Sequence, residues 1–169
     1  MTGPPAWRIR RDDPACADVR ELLDEHLRDM HRISPPESVH ALDPASLCGP
    51  GITFWTVRCG GELMGCGALK EIDPGHGEVK SMRTAAAHRR KGVAPAMLRH
   101  ILAEADRRGY ARVSLETGSQ AAFEPARRLY GAFGFRECPP FAGYGPDPNS
   151  VFMTRPIGPG LPPDDRPGK

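Results

Sequence analysis

The sequence predicts an α/β (α+β) domain with a central mixed sheet, and three observations carry that prediction. Short runs rich in β-branched and aromatic residues are separated by glycine and proline turn signals. Three longer stretches repeat their apolar residues at helical spacing. Strand, helix and strand follow one another over residues 78 to 117, which requires one parallel pair in a sheet otherwise linked by hairpins.

Each element has a local reason. "WRIR" (7 to 10) reads as a short first strand. Asp13-Pro14 offers an N-cap followed by proline at the first helical position. Behind it Val19, Leu22, Leu23, His26, Leu27 and Met30 fall on one helical face. The segment 33 to 51 carries three prolines before its closing Pro-Gly and predicts a loop with at most one helical turn, near Ser38 to Leu42. A loop of that size in a small domain tends to be functional. "ITFWTV" (52 to 57) and "ELMGCGALKEI" (62 to 72) are strands joined across "RCGG", a hairpin signal. "DPGHG" turns the chain again, into the strand "EVKSMRT" (78 to 84). Val93 to Arg108 is a strong amphipathic helix closed by Gly109. "ARVSLET" (111 to 117) is a strand, and "EPARRLYGAFGF" is a helix with proline in its first turn. "FRECPPF" and "NSVFMTR" supply two last strands.

The bulk properties exclude several classes. A chain of 169 residues fits one domain, placed at 6 to 157; the Pro-, Gly- and charge-rich ends, 1 to 5 and 158 to 169, are expected to be disordered. No run approaches the ~18 apolar residues of a membrane helix. "MTGPPAWRIRRDD" lacks the apolar centre of a signal peptide, so the expected location is cytoplasmic and no membrane partner is expected. Cys16, Cys48, Cys59, Cys66 and Cys138 form no CxxC pair and predict reduced thiols. A formal charge of +2 is too small to argue for nucleic acid, so positive charge must matter locally.

One local site stands out. In "HRRKGVAPAML" (88 to 98), Arg89, Arg90 and Lys91 crowd the start of a helix, where the helix dipole already places positive charge. An anion resolves the crowding. Helix-start N–H groups point outward, Gly92 lets the backbone approach a phosphate, and small Ala94 keeps the next turn open. A solvated basic turn is the plainer alternative. Neither GxxxxGK[ST] nor GxGxxG is present, so the common nucleotide loops are excluded.

Arg89-x-x-Gly92-x-Ala94, set between a strand and a helix, resembles the pyrophosphate loop of the GCN5-related N-acetyltransferases (the GNAT family). Downstream, Ala126, Leu129, Tyr130, Gly134 and Phe135 match that family's A-x-x-L-Y-x-x-x-G-F. The likeness covers residues 52 to 155, and the front half, with "SPPESVHALD" and "ITFW", is similar to the YsnE-like branch of small bacterial members. No acceptor is carried over from that branch. The resemblance implies a mostly antiparallel sheet of about six to seven strands with splayed central strands and flanking helices. It also implies acetyl-CoA as acyl donor. Main-chain groups of Met82, Arg83 and Thr84 would meet the pantetheine arm, and Arg89, Arg90, Lys91, Gly92, Val93, Ala94 and Pro95 the diphosphate. The chain departs from the pattern at Phe123, where the family often has Asn, so a cofactor contact there is lost.

The implied reaction is direct acetyl transfer to an amine. An alkyl amine has a pKa near ~10.4 and needs a base at neutral pH. Glu78 and Glu116, on neighbouring strands, are the candidates; either is equally readable as a solvent-facing strand residue. Tyr130 lies at the family's general-acid position, and is otherwise a core tyrosine. His31, Glu37, Ser38 and His40, in the stretch 31 to 51 that follows the first helix, are candidates for contact with a small-molecule or amino-acid-like acceptor, and each is otherwise an ordinary loop residue. His76, His88 and Asp73 match no metal-site spacing, so no metal is expected. A non-catalytic acyl-CoA sensor with the same fold is the alternative reading. Many family members pair through their sheets, so the resemblance allows a homodimer.

Overall fold

In the computed structural model, which describes residues 6–158, the β-rich runs become β1 (Trp7–Arg11), β2 (Ile52–Cys59), β3 (Glu62–Asp73), β4 (His76–Thr84), β5 (Arg112–Gly118), β6 (Arg136–Glu137) and β7 (Ser150–Pro156). The helices are α1 (Ala17–Ile33), α2 (Pro44–Leu47), α3 (Val93–Arg107) and α4 (Glu124–Ala132). The strands form one mixed sheet in the order β1-β2-β3-β4-β5-β7-β6, with β4 and β5 its parallel pair. Both terminal segments expected to be disordered, apart from Gly158, lie outside the described residues.

Alternation sorts the side chains between two cores. Val57, Leu69, Val79, Val113 and Leu115 bury against α3 and α4, with Met97, Leu98 and Ile101 fully inside. Phe54, Cys66 and Ala68 bury on the other face against Val19, Leu22 and Leu23 of α1 and Leu47 of α2. Parity therefore sets Glu78 and Lys80 of β4, and Ser114 and Glu116 of β5, on the α1 face.

The centre of the sheet is irregular in two linked places. Cys66 pairs with Arg83 but Ala68 pairs with Lys80, so Ser81 and Met82 together face Gly67. This is a β-bulge, and Ser81 takes φ +54° within it. Gly67 makes room: a Cβ there would stand 2.9 Å from Met82 Sδ and 2.8 Å from Met97 Cγ. The bulge bends β4 away from β5. Their pairing runs His76↔Arg112, Gly77↔Val113, Glu78↔Ser114 and then stops, leaving a cleft. The helix α1 is clamped beside it by Arg83, whose guanidinium reaches Glu25 at 3.1 Å and Asp29 at 2.5 Å.

Four sequence expectations shift. Asp13-Pro14 forms a turn, with Asp13 Oδ1 accepting from Ala15 N at 2.8 Å, and α1 begins one turn later at Ala17. In the long loop, a short 3₁₀ turn occupies Pro36–Ser38, and the helical turn falls at Pro44–Leu47. There Asp43 caps Ser46 N at 2.7 Å and proline occupies the first turn, a stronger start signal than Ser38 has. "FRECPPF" yields only Arg136–Glu137, because Pro139 and Pro140 have no N–H to give a ladder. The helix before "GAFGF" ends at Ala132.

Gly65 ties this fold to the cleft. A Cβ there would lie 2.8 Å from the Arg83 carbonyl oxygen and 2.8 Å from Val93 Cγ1, the first residue of α3. Gly65→Ala is expected to cost about 1–3 kcal/mol by overpacking. Because β4 and the start of α3 must separate, it is also expected to weaken binding of the coenzyme A that the sequence resemblance implies; thermal denaturation and calorimetry read the two effects.

Candidate active site

The parted strands enclose a cavity of about 560 Å³. Glu78 through Thr84 form one wall and Glu116 through Gly118 the other. His26, Met30 and Ile33 of α1 and residues 38–41 cover the α1 side, and Tyr130 of α4 lies at the opposite side. Buried polar atoms without a hydrogen-bond partner gather here: His26 Nδ1, Ser81 Oγ, Arg83 Nε and Glu116 Oε2 belong to four lining residues. Each such atom costs about 1–3 kcal/mol when left unpaired, which suits a site built for a ligand. Burial, with the Arg83 charge second, drives the His26 imidazole down to about 4, so it is neutral.

At the mouth, the chain leaves β4 through a 3₁₀ turn (Ala86–His88) and curls into α3. Arg90 at φ +63° and Gly92 at φ +86° are both left-handed. His88 is buried, with Nε2 2.9 Å from Glu62 Oε1, while Lys91 Nζ donates to its Nδ1 at 3.2 Å. Lys91 is thereby folded onto the base of the loop, whereas the Arg89 side chain lines the cavity. Ala96 N bonds the Gly92 carbonyl, so the N–H groups of Gly92, Val93 and Ala94 precede the helical ladder, and Pro95 has none. These outward amides beside exposed arginines fit a diphosphate. Met82, Arg83 and Thr84 line the cavity; Arg90, Lys91, Gly92, Val93, Ala94 and Pro95 form the loop next to it.

The two carboxylates differ. Glu78 is 3% exposed and engaged: Tyr144 Oη donates to its Oε2 at 2.6 Å, and Lys80 Nζ at 3.3 Å. Lys80 also donates to Tyr144 Oη at 2.9 Å. Glu116 is half-buried, with His40 Nε2 3.5 Å from an Oε2 that no hydrogen bond reaches. Burial raises its carboxyl to about 7; Lys80 pulls it down, and Glu78 and Asp147 push it up again. Tyr130 is buried beside Phe135, its ring centroid 5.8 Å away, and its hydroxyl has no partner among the described residues. Burial lifts that phenol to about 12.

The acceptor-side candidates divide. Ser38 and His40 line the cavity, and Ser38 Oγ donates to Asp147 Oδ2 at 2.6 Å, with Asn149 Nδ2 3.4 Å away. His31 and Glu37 are exposed and lie off the cavity. His76 bonds Ser114 Oγ at 2.6 Å. Sequence reasoning missed Tyr144 and Lys80. Tyr144 is an aromatic in a Gly/Pro loop, and that incongruity was the available signal; its ring meets His40 at 5.1 Å and Phe141 at 5.3 Å.

A bulged strand parted from its parallel neighbour, with a basic glycine turn opening a helix at the mouth, is the arrangement that the sequence resemblance to acyltransferases implies. The model of the acetyltransferase (GNAT) family matches residues 17–135, and the chain belongs to that family. It is 61% identical over 147 residues to an uncharacterized N-acetyltransferase, YsnE, of Bacillus subtilis, covering 87% of this chain and 97% of that protein. It is 37% identical over 154 residues to an IAA acetyltransferase of Azospirillum brasilense, covering 90% and 99%. A solved structure from Klebsiella pneumoniae, described as a candidate acyl-CoA N-acyltransferase, superposes with a TM-score of 0.72 at 28% identity over 89% and 97% of the two chains. An Elizabethkingia anophelis GNAT acetyltransferase with acetyl-CoA bound shares the fold at TM-score 0.58 and 15% identity, over 89% and 98%.

The raised Glu116 carboxyl has a stability signature. Its folded value of about 7 exceeds the ordinary 4.5, so the fold favours the neutral acid. That contribution is complete below the ordinary value and is lost as pH rises through about 7. Glu116→Gln is therefore expected to melt above the wild type at pH 8 and level with it at pH 4; melting curves across that range check it.

Proposed function

We propose that this protein moves an acetyl group from acetyl-CoA directly to the amine of a small-molecule or amino-acid-like acceptor, with Glu116 as base and Tyr130 as the group facing the leaving sulfur. One observation carries the assignment: Glu116 presents to the cavity a half-buried carboxylate whose Oε2 takes no hydrogen bond, with His40 Nε2 3.5 Å off, and its carboxyl is raised to about 7. A base poised near neutrality is the most useful kind. Glu78, whose Oε2 accepts from both Tyr144 and Lys80, is held by those two bonds and serves as a positioning residue.

Acetyl-CoA supplies an activated thioester. The residues do the rest. Neutralising an alkyl ammonium at pH 7 costs on the order of 4 kcal/mol, and Glu116 takes that proton as the acceptor enters. The nitrogen–carbon bond then forms and the carbon–sulfur bond breaks. Ser81 to Arg83, at the β4 bulge, line the cleft, where a main-chain N–H would polarise the thioester carbonyl. The Tyr130 phenol, raised to about 12, keeps its proton at every physiological pH. Full transfer to a thiolate, whose acid sits near ~8.5, is uphill by about 5 kcal/mol, so Tyr130 holds the departing sulfur by a hydrogen bond. The second amine proton ends on the thiol, and Glu116 returns its own to solvent. The name of the Azospirillum brasilense relative supports acetyl as the group moved.

Incubation with acetyl-CoA and a panel of amines, following free thiol, tests the reading. Acceptor-dependent release is expected; tight acetyl-CoA binding without release favours the sensor. In the wild type kcat/KM is expected to fall tenfold per pH unit below about 7, where Glu116 is protonated. Glu116→Gln is expected to lose about 10²–10⁴ in rate and that acid limb with it. Tyr130→Phe is expected to lower kcat with coenzyme A affinity nearly unchanged; an equal loss of both assigns the ring to packing alone.

A further inference from the structure

The register of the central strands carries a statement about the acceptor. Continuing His76↔Arg112, Gly77↔Val113 and Glu78↔Ser114 by two residues would set Lys80 directly opposite Glu116. Both side chains lie on the α1 face, so a regular sheet would join them as a cross-strand ion pair. The strands part first. A cation and a carboxylate that belong to one rung face each other across the cleft instead, both lining the cavity.

Resting on the transferase reading above, we propose that the acceptor is an α-amino acid bound as its zwitterion across this rung, ammonium on Glu116 and carboxylate on Lys80. Lys80 is 9% exposed and has three N–H donors, of which Glu78 Oε2 and Tyr144 Oη use two. The third is free for a ligand. Ser81 is next in the chain and lines the same cavity; its buried, unpartnered hydroxyl offers the carboxylate a second donor. Glu78 and Asp147 are the groups that oppose an anion here, and the Tyr144 hydroxyl, 2.6 Å from the Oε2 that Lys80 also bonds, holds Glu78 turned to Lys80. At Glu116, Lys80 pulls the carboxyl down while Glu78 and Asp147 push it up. On the other side Glu116 Oε2 waits without a hydrogen bond, ready for an ammonium. Met30, Ile33 and Val39 give the amino-acid side chain an apolar wall.

The experiment compares each common α-amino acid with its carboxamide, which keeps the shape and the amine but loses the negative charge, by thiol release with acetyl-CoA. The best amino acid is expected to exceed its carboxamide about ten- to a hundred-fold in kcat/KM, the size of a charge-assisted hydrogen bond. Lys80→Met is expected to bring that ratio to about one, and Lys80→Arg to retain most of it. Removing the cation leaves Glu78 buried without it, so Glu78→Gln/Lys80→Met, which deletes both charges, is run alongside, with melting curves for each. Turnover of amines with no preference for the carboxylate, or a preference that survives Lys80→Met and the double variant, overturns the zwitterion and leaves the transferase reading standing. No turnover with any amine or amino acid overturns both.

Discussion

The early end of the β4–β5 pairing is the constraint on which the rest depends. After Glu78↔Ser114 the two strands no longer share hydrogen bonds, and every candidate functional group in the cleft is placed by that separation. The cause lies one strand away. Gly67 admits Met82 beneath it, the extra residue takes up a bulge, and β4 bends off line. A sheet centre is ordinarily where backbone groups are best satisfied. Here the β4–β5 ladder stops, and residues 79–84 line a cavity in place of a neighbouring strand.

The electrostatics follow from the same separation. Parted from Lys80, Glu116 loses the partner that would hold it ionised, and burial then raises its carboxyl. Lys80 is captured on its own strand by Glu78 and, from the β6–β7 segment, by Tyr144. Two carboxylates on one face are thus given different work: one is locked into structure, the other left half-buried and unmatched. Arg83 shows a related division, its terminal nitrogen binding α1 while its Nε stays unpaired beside the cavity.

Much of the architecture was legible because its signals are local. The Gly60-Gly61 turn, with φ +57° and +86°, announces the β2–β3 hairpin, and the apolar period of 93–107 announces α3. The loop at Arg89–Gly92 was legible for the same reason: charge and glycine sit together in the chain. The pairing of Tyr144 with Glu78 spans 66 residues, and no spacing rule reaches that far. Glu78 and Glu116 were indistinguishable in the sequence because each is a carboxylate in a β-rich run; burial and partners separate them. His31 and Glu37 were drawn in by their nearness to the long loop, yet His31 ends up exposed in the last turn of α1 and Glu37 exposed in the loop, which offers Ser38 and His40 to the cavity.

The bond from Ser38 to Asp147 joins positions 109 residues apart. During synthesis the strand–helix–strand unit is finished well before Asp147 leaves the ribosome. The 38–41 side of the cavity therefore cannot be fastened until Asp147 has been made. Contacts of such long sequence separation form late. A nascent chain is thus expected to form the Arg89–Gly92 turn first and to close residues 38–41 over the cavity later.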